Sequence, residues 1–342
     1  MYKRQDTGRL TQGEVIALVN YMSQILVELV KLANLIILLT KAAACSKRVG
    51  EVFAMSASVV EHPTGVDLER AEDKVVFKNV TFTYQGSKEP ALQDISFTAK
   101  SGQVIGIIGG TGCGKTTLVN LIPRFYDATA GEVLVDNVNV KKYSFHQLRD
   151  RIGIVPQKAV LFNGTIADNL RWGKEDATKE EMERAIGIAQ AADVIVSKKD
   201  GLEEKILQGG KNLSGGQRQR LTIARALVKE PEILILDDSS SALDFATDAR
   251  LRKAIKEQTK GMTVFMVSQR ASTIKQADQI IVLEDGHMAG VGTHDTLMKT
   301  CDIYQEIVKS QENGEEENKK KQSDLGKDSE DNRKEVKSNG RK

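Results

Sequence analysis

The stretch GGTGCGKTT, Gly109 to Thr117, constrains this chain more than any other part of its sequence. It fits the pattern G-x-x-x-x-G-K-[ST] and lies between the apolar, strand-like run QVIGII and the apolar, helix-like run LVNLI. Small residues in this pattern let consecutive backbone N–H groups curl around phosphate oxygens, and the following helix N-terminus adds a favourable field. The sequence therefore predicts a strand, a phosphate-binding loop and a helix in series.

The residues of this loop have different expected roles. Lys115 is expected to reach the β- and γ-phosphates, and the Thr116 hydroxyl to ligate magnesium. Cys113 is interpreted as a small tolerated residue, with a redox-sensing thiol as the alternative. The candidate nucleotide-binding residues of the loop are Gly109, Gly110, Thr111, Gly112, Cys113, Gly114, Lys115, Thr116 and Thr117.

A second apolar run ends in two adjacent carboxylates, in the stretch ILILDDSSSALD at residues 233–244. In phosphoryl-transfer enzymes an acidic strand end and the loop Ser or Thr hold magnesium together. Asp237 is therefore the predicted metal ligand beside Thr116. The alternative is that Asp237 or Asp238 is the N-cap of the next helix.

Eight short β-rich runs indicate an α/β domain. They cover residues 74–84, 94–100, 103–108, 132–136, 152–155, 232–237, 263–267 and 279–286. Some alternate between apolar and polar residues, as half-buried strands do, whereas the continuous apolar runs are typical of central parallel strands with helices between them. We expect an antiparallel portion near the start of this domain.

Composition limits the chemistry further. The formal net charge of +2 argues neither for nor against nucleic acid, whose binding needs a concentrated basic excess, and no nucleic-acid partner is predicted. The three cysteines are odd in number, widely spread and without metal-ligand spacing, which makes a disulfide framework or a zinc site improbable. A reducing cytosol fits best.

An apolar segment from Val15 to Thr40 precedes this domain. As a helix it would be about 39 Å long, enough to cross a hydrocarbon core of about 30 Å. Polar residues recur along one stripe of that helix: Asn20, Gln24, Glu28 and Lys31. Such a stripe usually faces a bundle interior or a watery cavity, so other helices are needed to complete it. The alternative is an amphipathic soluble helix.

Basic residues follow the segment, at Lys41, Lys47 and Arg48, and place its downstream end in the cytoplasm. We expect residues 1–50 to be the last transmembrane helix of a truncated membrane domain, 51–73 a connector and 74–311 the nucleotide-binding domain. Residues 312–342 are almost without apolar side chains and are predicted to be a disordered charged tail, with a docking tail as the alternative.

The stretch KNLSGGQRQRLTIARALV at residues 211–228 adds a specific resemblance. LSGGQ, followed by this helix and by a strand ending in Asp, resembles the ATP-binding cassette (ABC) family. Further matches are FTYQG with Tyr84, IVPQKAVLFNGTIADNL with Gln157, SALD at 241–244 and VSQR at 267–270. The resemblance implies a P-loop NTPase (RecA-like) core with an antiparallel β subdomain and a helical signature subdomain.

More narrowly, the chain resembles ABC exporters. LFNGTIADNL and GTHDTLMKTCDIYQEI are similar to exporter cassettes, and GRLTQGEVIALVNYMSQIL is similar to the start of the sixth, last transmembrane helix of an exporter half. The missing spans imply either a C-terminal fragment of a longer half transporter or a shortened product working with separate membrane subunits. The fragment is favoured, and as such it is expected not to move substrate.

The resemblance also implies ligands and roles, with ATP and Mg²⁺ as the cofactors. Tyr84 is expected to stack on adenine, and Gln157 to reach the magnesium or the attacking water and to signal to the membrane helices. In this family two cassettes face head to tail. The residues expected to contact nucleotide across that dimer are Ser214, Gly215, Gly216, Gln217 and, in SALD, Asp244.

Two positions depart from the exporter pattern, which has Glu in place of Asp238 and His in place of Gln269. Asp is one methylene shorter, and a displacement on the order of 1 Å can cost about a hundredfold in rate. Gln269 can hydrogen-bond a γ-phosphate, but it cannot carry positive charge or relay a proton. The expected catalytic residues are Asp238, Gln269 and Gln157, in a site that binds ATP and turns it over poorly.

The intact LSGGQ beside a weakened site resembles one subunit of a heterodimeric multidrug or peptide exporter with one degenerate and one competent site. A homodimer is the competing assembly. A regulatory nucleotide binder without hydrolysis and a soluble cassette ATPase are the other function classes. Expected partners are a second exporter half, membrane lipid and a transported small molecule, lipid or peptide, at the cell membrane with the cassette on the cytoplasmic side.

Overall fold

The computed structural model of the protein describes residues 11–61, 66, 71–259 and 261–312. The chain divides into two compact units, Met1–Ser58 and Val59–Lys342. Of the tail predicted at 312–342, only residue 312 is described, and it is helical. The rest of that prediction lies outside the described residues.

One long helix, α1 (Gln12–Phe53), makes up most of the described part of the first unit. Thr11 and Glu14 form a capping box at its start, with the Glu14 amide donating to Thr11 Oγ1 at 3.4 Å. The helix is long and apolar enough to cross a membrane, and none of its side chains is buried. At 1.5 Å per residue it extends about 63 Å. It therefore continues past the predicted span, because the Ala- and Lys-rich sequence after Thr40 also favours helix.

Three sheets organise the described residues of the second unit. Their strands are β1 (Asp73–Phe82), β2 (Leu92–Lys100), β3 (Val104–Gly109), β4 (Ala130–Val135), β5 (Val138–Asn139), β6 (Ile152–Val155), β7 (Gly164–Thr165), β8 (Lys205–Ile206), β9 (Ile233–Asp237), β10 (Thr263–Val267), β11 (Gln279–Glu284) and β12 (His287–Gly292). A six-stranded sheet has the order β12-β11-β3-β10-β9-β6 and is parallel except for β12. The four-stranded sheet β2-β1-β4-β5 is antiparallel, and β7 pairs with β8. The α/β class with an antiparallel portion near its start is confirmed.

Within the part of the second unit that the structure describes, ten further helices pack around these sheets. They are α2 (Lys115–Leu121), α3 (Phe145–Arg149), α4 (Ile166–Arg171), α5 (Lys179–Ile188), α6 (Ala192–Val196), α7 (Gly215–Leu227), α8 (Phe245–Gln258), α9 (Ala271–Ile274), α10 (His294–Thr300) and α11 over residues 302–312. Short 3₁₀ turns occur at Val140–Lys142, Gly201–Glu203 and Gln208–Gly210. Helices α4 and α5 pack against α7, which carries the LSGGQ segment at its start. This is the helical subdomain that the resemblance implies.

The parallel sheet separates two apolar cores. All five residues of β9 and all five of β10 are buried, because helices and the antiparallel sheet cover both of their faces. On one side of the parallel sheet, the ring of Phe97 stacks on that of Phe77, with 4.6 Å between the ring centroids. The Phe97 ring also lies in a T-shaped arrangement with that of Phe265, with 6.5 Å between the centroids. The continuous apolar runs are therefore central strands, as predicted.

A buried charge cluster joins the two large sheets. Lys74 in β1 pairs with Asp136 at 2.8 Å and with Glu232, which precedes β9. Arg151, which precedes β6, also pairs with Asp136, at 2.7 Å. Because removing one partner would leave an uncompensated buried charge, the cluster fixes the antiparallel sheet against the starts of β6 and β9.

Candidate nucleotide site

The candidate site lies at the carboxyl edge of the parallel sheet. Strands β3, β10, β9 and β6 are neighbours, and each leads into one group of predicted residues. The loop at 109–117 follows β3, the acids Asp237 and Asp238 follow one another at the end of β9, Gln269 follows β10 and Gln157 follows β6. In open α/β sheets ligands bind at this edge, so the topology collects residues that are far apart in the sequence.

An open cleft of ≈ 250 Å³ brings most of these residues together. Its lining residues are Tyr84, Ala91, Thr111, Gly112, Gly114, Lys115, Thr116, Thr117, Gln157, Asp237, Asp238, Val267 and Gln269. Ala91 and Val267 were not predicted. Among the predicted loop residues, Gly109, Gly110 and Cys113 lie outside this lining.

Two glycines of the loop pass close to neighbouring backbone. A Cβ on Gly109 would lie 2.1 Å from the Leu283 carbonyl oxygen, and one on Gly114 would lie 2.8 Å from that of Ala91. Gly114 has a φ of 98° and, as the N-cap of α2, supplies no side-chain hydrogen bond to it. Only glycine therefore lets the loop backbone pass this close to its neighbours, and the resulting glycine cradle is the kind of backbone path on which amides can surround phosphate oxygens.

Lys115 is buried at the centre of this loop. Its ammonium donates to the Gly109 carbonyl at 2.8 Å and to the Gly110 carbonyl, and it lies 3.6 Å from Cys113 Sγ. A compact point charge at this place suits phosphate oxygens. Cys113 is only 5% exposed, which argues against the redox-sensor alternative, because reactive thiols need access.

Thr116 and Asp237 meet directly. The Thr116 hydroxyl lies 3.0 Å from each carboxylate oxygen of Asp237. Burial raises the pKa of Asp237, and the hydrogen bond from Thr116 opposes that rise. A hydroxyl and a carboxylate are hard oxygen ligands of the kind that Mg²⁺ prefers, so the donor set together with the glycine cradle fits Mg²⁺ and a nucleotide phosphate.

Asp238 is held in an unusual backbone conformation. Its φ is 46°, its amide donates to the Val267 carbonyl at 3.0 Å, and its own carbonyl accepts from Ser241 Oγ at 2.9 Å. Gln157 Nε2 donates to its carboxylate at 3.4 Å. Burial raises the pKa of Asp238, whereas the charges of Lys115 and Arg270 lower it. Aspartate adopts this left-handed region more readily than most residues other than glycine, and the two backbone hydrogen bonds hold Asp238 in it.

The capping alternative for the two acids is wrong. Helix α8 begins after Asp244, whose Oδ1 accepts from the Thr247 amide at 2.9 Å, so Asp244 is the N-cap. This hydrogen bond lowers the pKa of Asp244. Asp237 and Asp238 instead direct their carboxylates into the cleft.

Tyr84 contacts the last residue of the loop and lines the cleft. Its hydroxyl shares a hydrogen bond with Thr117 Oγ1 at 2.9 Å. Its ring makes T-shaped contacts with the rings of Phe82 and Tyr126, with centroid distances of 4.7 Å and 5.3 Å. The side chain is 38% exposed. Stacking on adenine stays a prediction, and Tyr126 is a supporting residue that sequence reasoning missed because nothing local distinguishes it.

Arg270 was also missed, although its neighbour Gln269 was predicted. Its guanidinium lies 5.2 Å from the centre of the Phe245 ring, and its charge lowers the pKa of Asp238. The stretch VSQR at 267–270 contained it, so the signal was present in the sequence. The sequence did not indicate that the charge of Arg270 acts on Asp238.

The LSGGQ residues lie outside the cleft. Ser214 is the N-cap of α7, and it forms a capping box with Gln217, whose amide donates to Ser214 Oγ at 3.2 Å. The cleft of the same chain is lined by none of the residues that are expected to contact a partner's nucleotide, which are Ser214, Gly215, Gly216, Gln217 and Asp244. The arrangement is compatible with the predicted role toward the nucleotide of a second subunit.

Residues 92–241 match the sequence model of the family described as ABC transporter. That region contains the loop, both β9 acids, Gln157 and the LSGGQ segment. Tyr84 and Gln269 lie outside it.

Relatives and solved structures extend the similarity to most of the chain. It is 43% identical over 316 residues to an uncharacterized ABC transporter ATP-binding protein of Mycobacterium bovis, covering 90% of this chain and 53% of that protein. It is 39% identical over 306 residues to a β-(1→2)glucan export ATP-binding/permease protein of Rhodopseudomonas palustris, covering 90% and 50%. A bacterial Atm1-family ABC exporter with ATP bound superimposes with a TM-score of 0.73 at 32% identity, covering 87% and 52%. The chain thus spans about half the length of the curated relatives it matches.

Proposed function

We propose, from the ABC transporter ATP-binding domain that this chain carries, that the protein is the nucleotide-binding part of an ABC exporter half. In this role it binds ATP with Mg²⁺ and pairs head to tail with a second half. ATP binding and hydrolysis in the dimer then drive export. The single observation that carries the proposal is the cleft in which Lys115, Thr116 and Asp237 meet Asp238 and Gln269.

The residues of the cleft have separable tasks. Lys115 and the loop amides hold the phosphates, and Thr116 with Asp237 holds the metal ion, which neutralises charge on the phosphates when bound. Asp238, whose carboxylate lies 3.4 Å from the amide nitrogen of Gln157, is the residue that we expect to orient the attacking water. Tyr84 offers a ring for the base.

Hydrolysis at this cleft is expected to be slow. The Asp238 carboxylate is one methylene shorter than the glutamate that exporters have at this position, and its φ of 46° leaves the backbone little freedom to compensate. Gln269 stands where exporters have a histidine. Because the LSGGQ residues are intact, they are expected to complete a more active site on the partner, which favours a heterodimer over a homodimer.

The same proposal covers location and cargo. Helix α1 supplies a span that anchors the chain in the cell membrane, and the cassette lies on the cytoplasmic side. The relatives are named for different cargoes or for none, so the transported molecule is proposed only by class: a small molecule, a lipid or a peptide. The remaining spans of the exporter are expected to determine it.

The test restores the two residues that exporters have. The full chain in detergent or nanodiscs is assayed for Mg²⁺-dependent ATPase as the wild type and as Asp238→Glu with Gln269→His, at concentrations that allow dimerisation. The double variant is expected to be faster, by up to about a hundredfold, because the longer carboxylate reaches the attacking water.

Asp295→Glu is the matched control, because it makes the same change on the exposed first turn of α10 and is expected to leave the rate unchanged. An unchanged rate in the double variant, with ATP binding intact, would contradict the weakened-site part of the proposal. Absence of ATP binding by the wild type would contradict the proposal as a whole.

A further inference from the structure

The last described helix reaches the loop that presents Gln269. Gln311 Nε2, on α11, donates to the Gln269 carbonyl at 2.7 Å, and Gln311 Oε1 accepts from the Ala271 amide at 2.8 Å. One side-chain amide therefore bonds both the residue before Arg270 and the residue after it. The two partners lie 42 and 40 residues earlier in the chain.

Helix α11 is itself firmly anchored. Tyr304 is fully buried and its hydroxyl lies 2.9 Å from His294 Nδ1, while Val308 is 6% exposed. Both belong to the apolar core that also contains Ala271 and Ile274 of α9. Gln311 therefore extends from a fixed support and is only partly exposed.

The loop from 267 to 271 is fixed at both ends. At the strand end, the Ser268 amide donates to the Ile107 carbonyl at 3.1 Å, and Ser268 Oγ accepts from the Arg270 amide at 2.9 Å. At the helix end, the Gln311 side chain supplies the two bonds already described. Between these supports, the Gln269 side chain is exposed and lines the nucleotide cleft.

We propose that Gln311 is a positioning residue that holds Gln269 toward the terminal phosphate of the bound nucleotide. The inference deepens the proposed function, on which it rests, and assigns to α11 a part in distinguishing ATP from ADP. Fixing the backbone on either side of Arg270 limits the directions in which Gln269 can extend. A displacement of about 1 Å would take a hydrogen bond of this kind outside its normal distance range.

A simpler role for Gln311 is to cap α9. The N-cap of that helix is Arg270, which makes no side-chain cap hydrogen bond, so the Gln311 carbonyl oxygen satisfies an otherwise free Ala271 amide. Capping needs only the oxygen of Gln311. Positioning needs the nitrogen as well, because only the nitrogen bonds the Gln269 carbonyl.

This difference gives a discriminating pair of variants. Gln311→Ala removes both bonds, whereas Gln311→Glu keeps an acceptor for the Ala271 amide but sets a carboxylate against the Gln269 carbonyl. Equilibrium binding of Mg-ATP and of Mg-ADP to the full chain is measured for both variants and for the wild type. Thermal unfolding is measured in parallel.

Both variants are expected to bind Mg-ATP about tenfold more weakly, the effect of losing the hydrogen bond between Gln269 and the terminal phosphate, and to bind Mg-ADP within about twofold of the wild type. Gln311→Glu is expected to regain most of the thermal stability lost in Gln311→Ala without regaining ATP affinity. Gln305→Ala is the matched control, because it removes the same side chain from the same helix at a distance from the loop, and it should change neither affinity.

A double-mutant cycle adds a second readout. If Gln311 acts through Gln269, then Gln269→Ala with Gln311→Ala should bind ATP no more weakly than Gln269→Ala alone. Additive losses would overturn the positioning role, as would equal losses for ATP and ADP, or recovery of ATP affinity in Gln311→Glu. If the wild-type chain binds ATP and the Gln311 variants keep the wild-type ratio of ATP affinity to ADP affinity, this inference alone is overturned. If the wild-type chain binds neither nucleotide, the proposed function is overturned and this inference with it.

Discussion

The nucleotide cleft and the LSGGQ segment at 213–217 use polar residues in opposite ways. The cleft holds a buried cation and two neighbouring carboxylates, and burial raises the pKa of both Asp237 and Asp238. The LSGGQ segment has only neutral side chains, and Ser214 and Gln217 satisfy each other's backbone amides in a capping box. The cleft therefore carries charge that a metal ion and phosphates would complement, whereas Ser214 and Gln217 of the segment already find their hydrogen-bond partners within the chain.

This contrast indicates how each region contributes to function. Groups that are costly to bury are concentrated where ligand charge offsets the cost, and a change there should alter nucleotide binding by the same chain. A neutral segment with internally satisfied hydrogen bonds is a fixed surface that can be presented to another subunit. Changes there should leave the chain's own cleft intact.

The largest effect is expected from Lys115→Ala. Removing the buried ammonium leaves the phosphates without their main cation and takes away the Lys115 charge that lowers the pKa of both acids. Mg-ATP affinity should therefore fall on the order of a hundredfold. Isothermal titration of the full chain measures it. Lys299→Ala, on the exposed side of α10, is the matched control, and wild-type affinity in Lys115→Ala would show that the cleft does not bind phosphate as described.

An intermediate effect is expected from acidification. Because the pKa values of Asp237 and Asp238 lie above the ordinary aspartate value of 3.8, both acids take up protons at a higher pH than an exposed aspartate would. Protonated Asp237 cannot ligate Mg²⁺, so Mg-ATP affinity should decline as pH falls toward these raised values. The contribution of these acids to stability has the opposite sign: the folded state binds their protons more tightly than the unfolded state, which favours folding as pH falls through the raised values.

The decline of Mg-ATP affinity at low pH is measured by binding titrations over a pH series, with Asp237→Asn as the reference. That variant should bind weakly and lose most of the pH dependence. The contrast between the regions predicts that nothing in the LSGGQ segment titrates over the same range. A wild-type profile as flat as that of Asp237→Asn would contradict the assignment of Asp237 to the metal.

The smallest effect is expected from Ser214→Ala. Losing the N-cap of α7 should cost about 1 kcal/mol of stability and lower the Tm by about 2–4 °C, as is typical for a domain of this size. ATP binding at the chain's own cleft should stay within about twofold, because Ser214 does not line it. Ser214→Thr keeps a capping hydroxyl and should retain the stability, and a large loss of the chain's own ATP affinity in Ser214→Ala would break the separation between the two regions.

Much of the fold was predictable because its signals are local. Continuous apolar runs predicted the central strands, and the strand-loop-helix motif placed Lys115 and Thr116 before any contact was known. The edge strand β12 was missed, since HMAGVG has neither a strong alternation nor a continuous apolar run. The extent of α1 was underestimated, because apolar content marks a span and not the end of a helix.

The supports of the site were less predictable because they act across long sequence separations. Gln311 lies 42 residues from Gln269, and nothing in its neighbourhood indicates a contact with the cleft. The charge cluster around Asp136 joins residues from β1 to the start of β9, and each of them alone resembles an ordinary surface charge. Such pairs form only when the sheets pack.

The sequence by itself determined which chemistry this protein carries. A phosphate loop, an acid at a strand end, LSGGQ and the two departures at Asp238 and Gln269 are patterns of neighbouring residues, and local geometry makes them readable. Only the tertiary structure decided how these groups are held: the acids face the cleft and do not cap a helix, and α11 supports the loop of Gln269. The physical reason is that hydrogen bonds and burial between distant segments depend on how the elements pack, which no short stretch of sequence records.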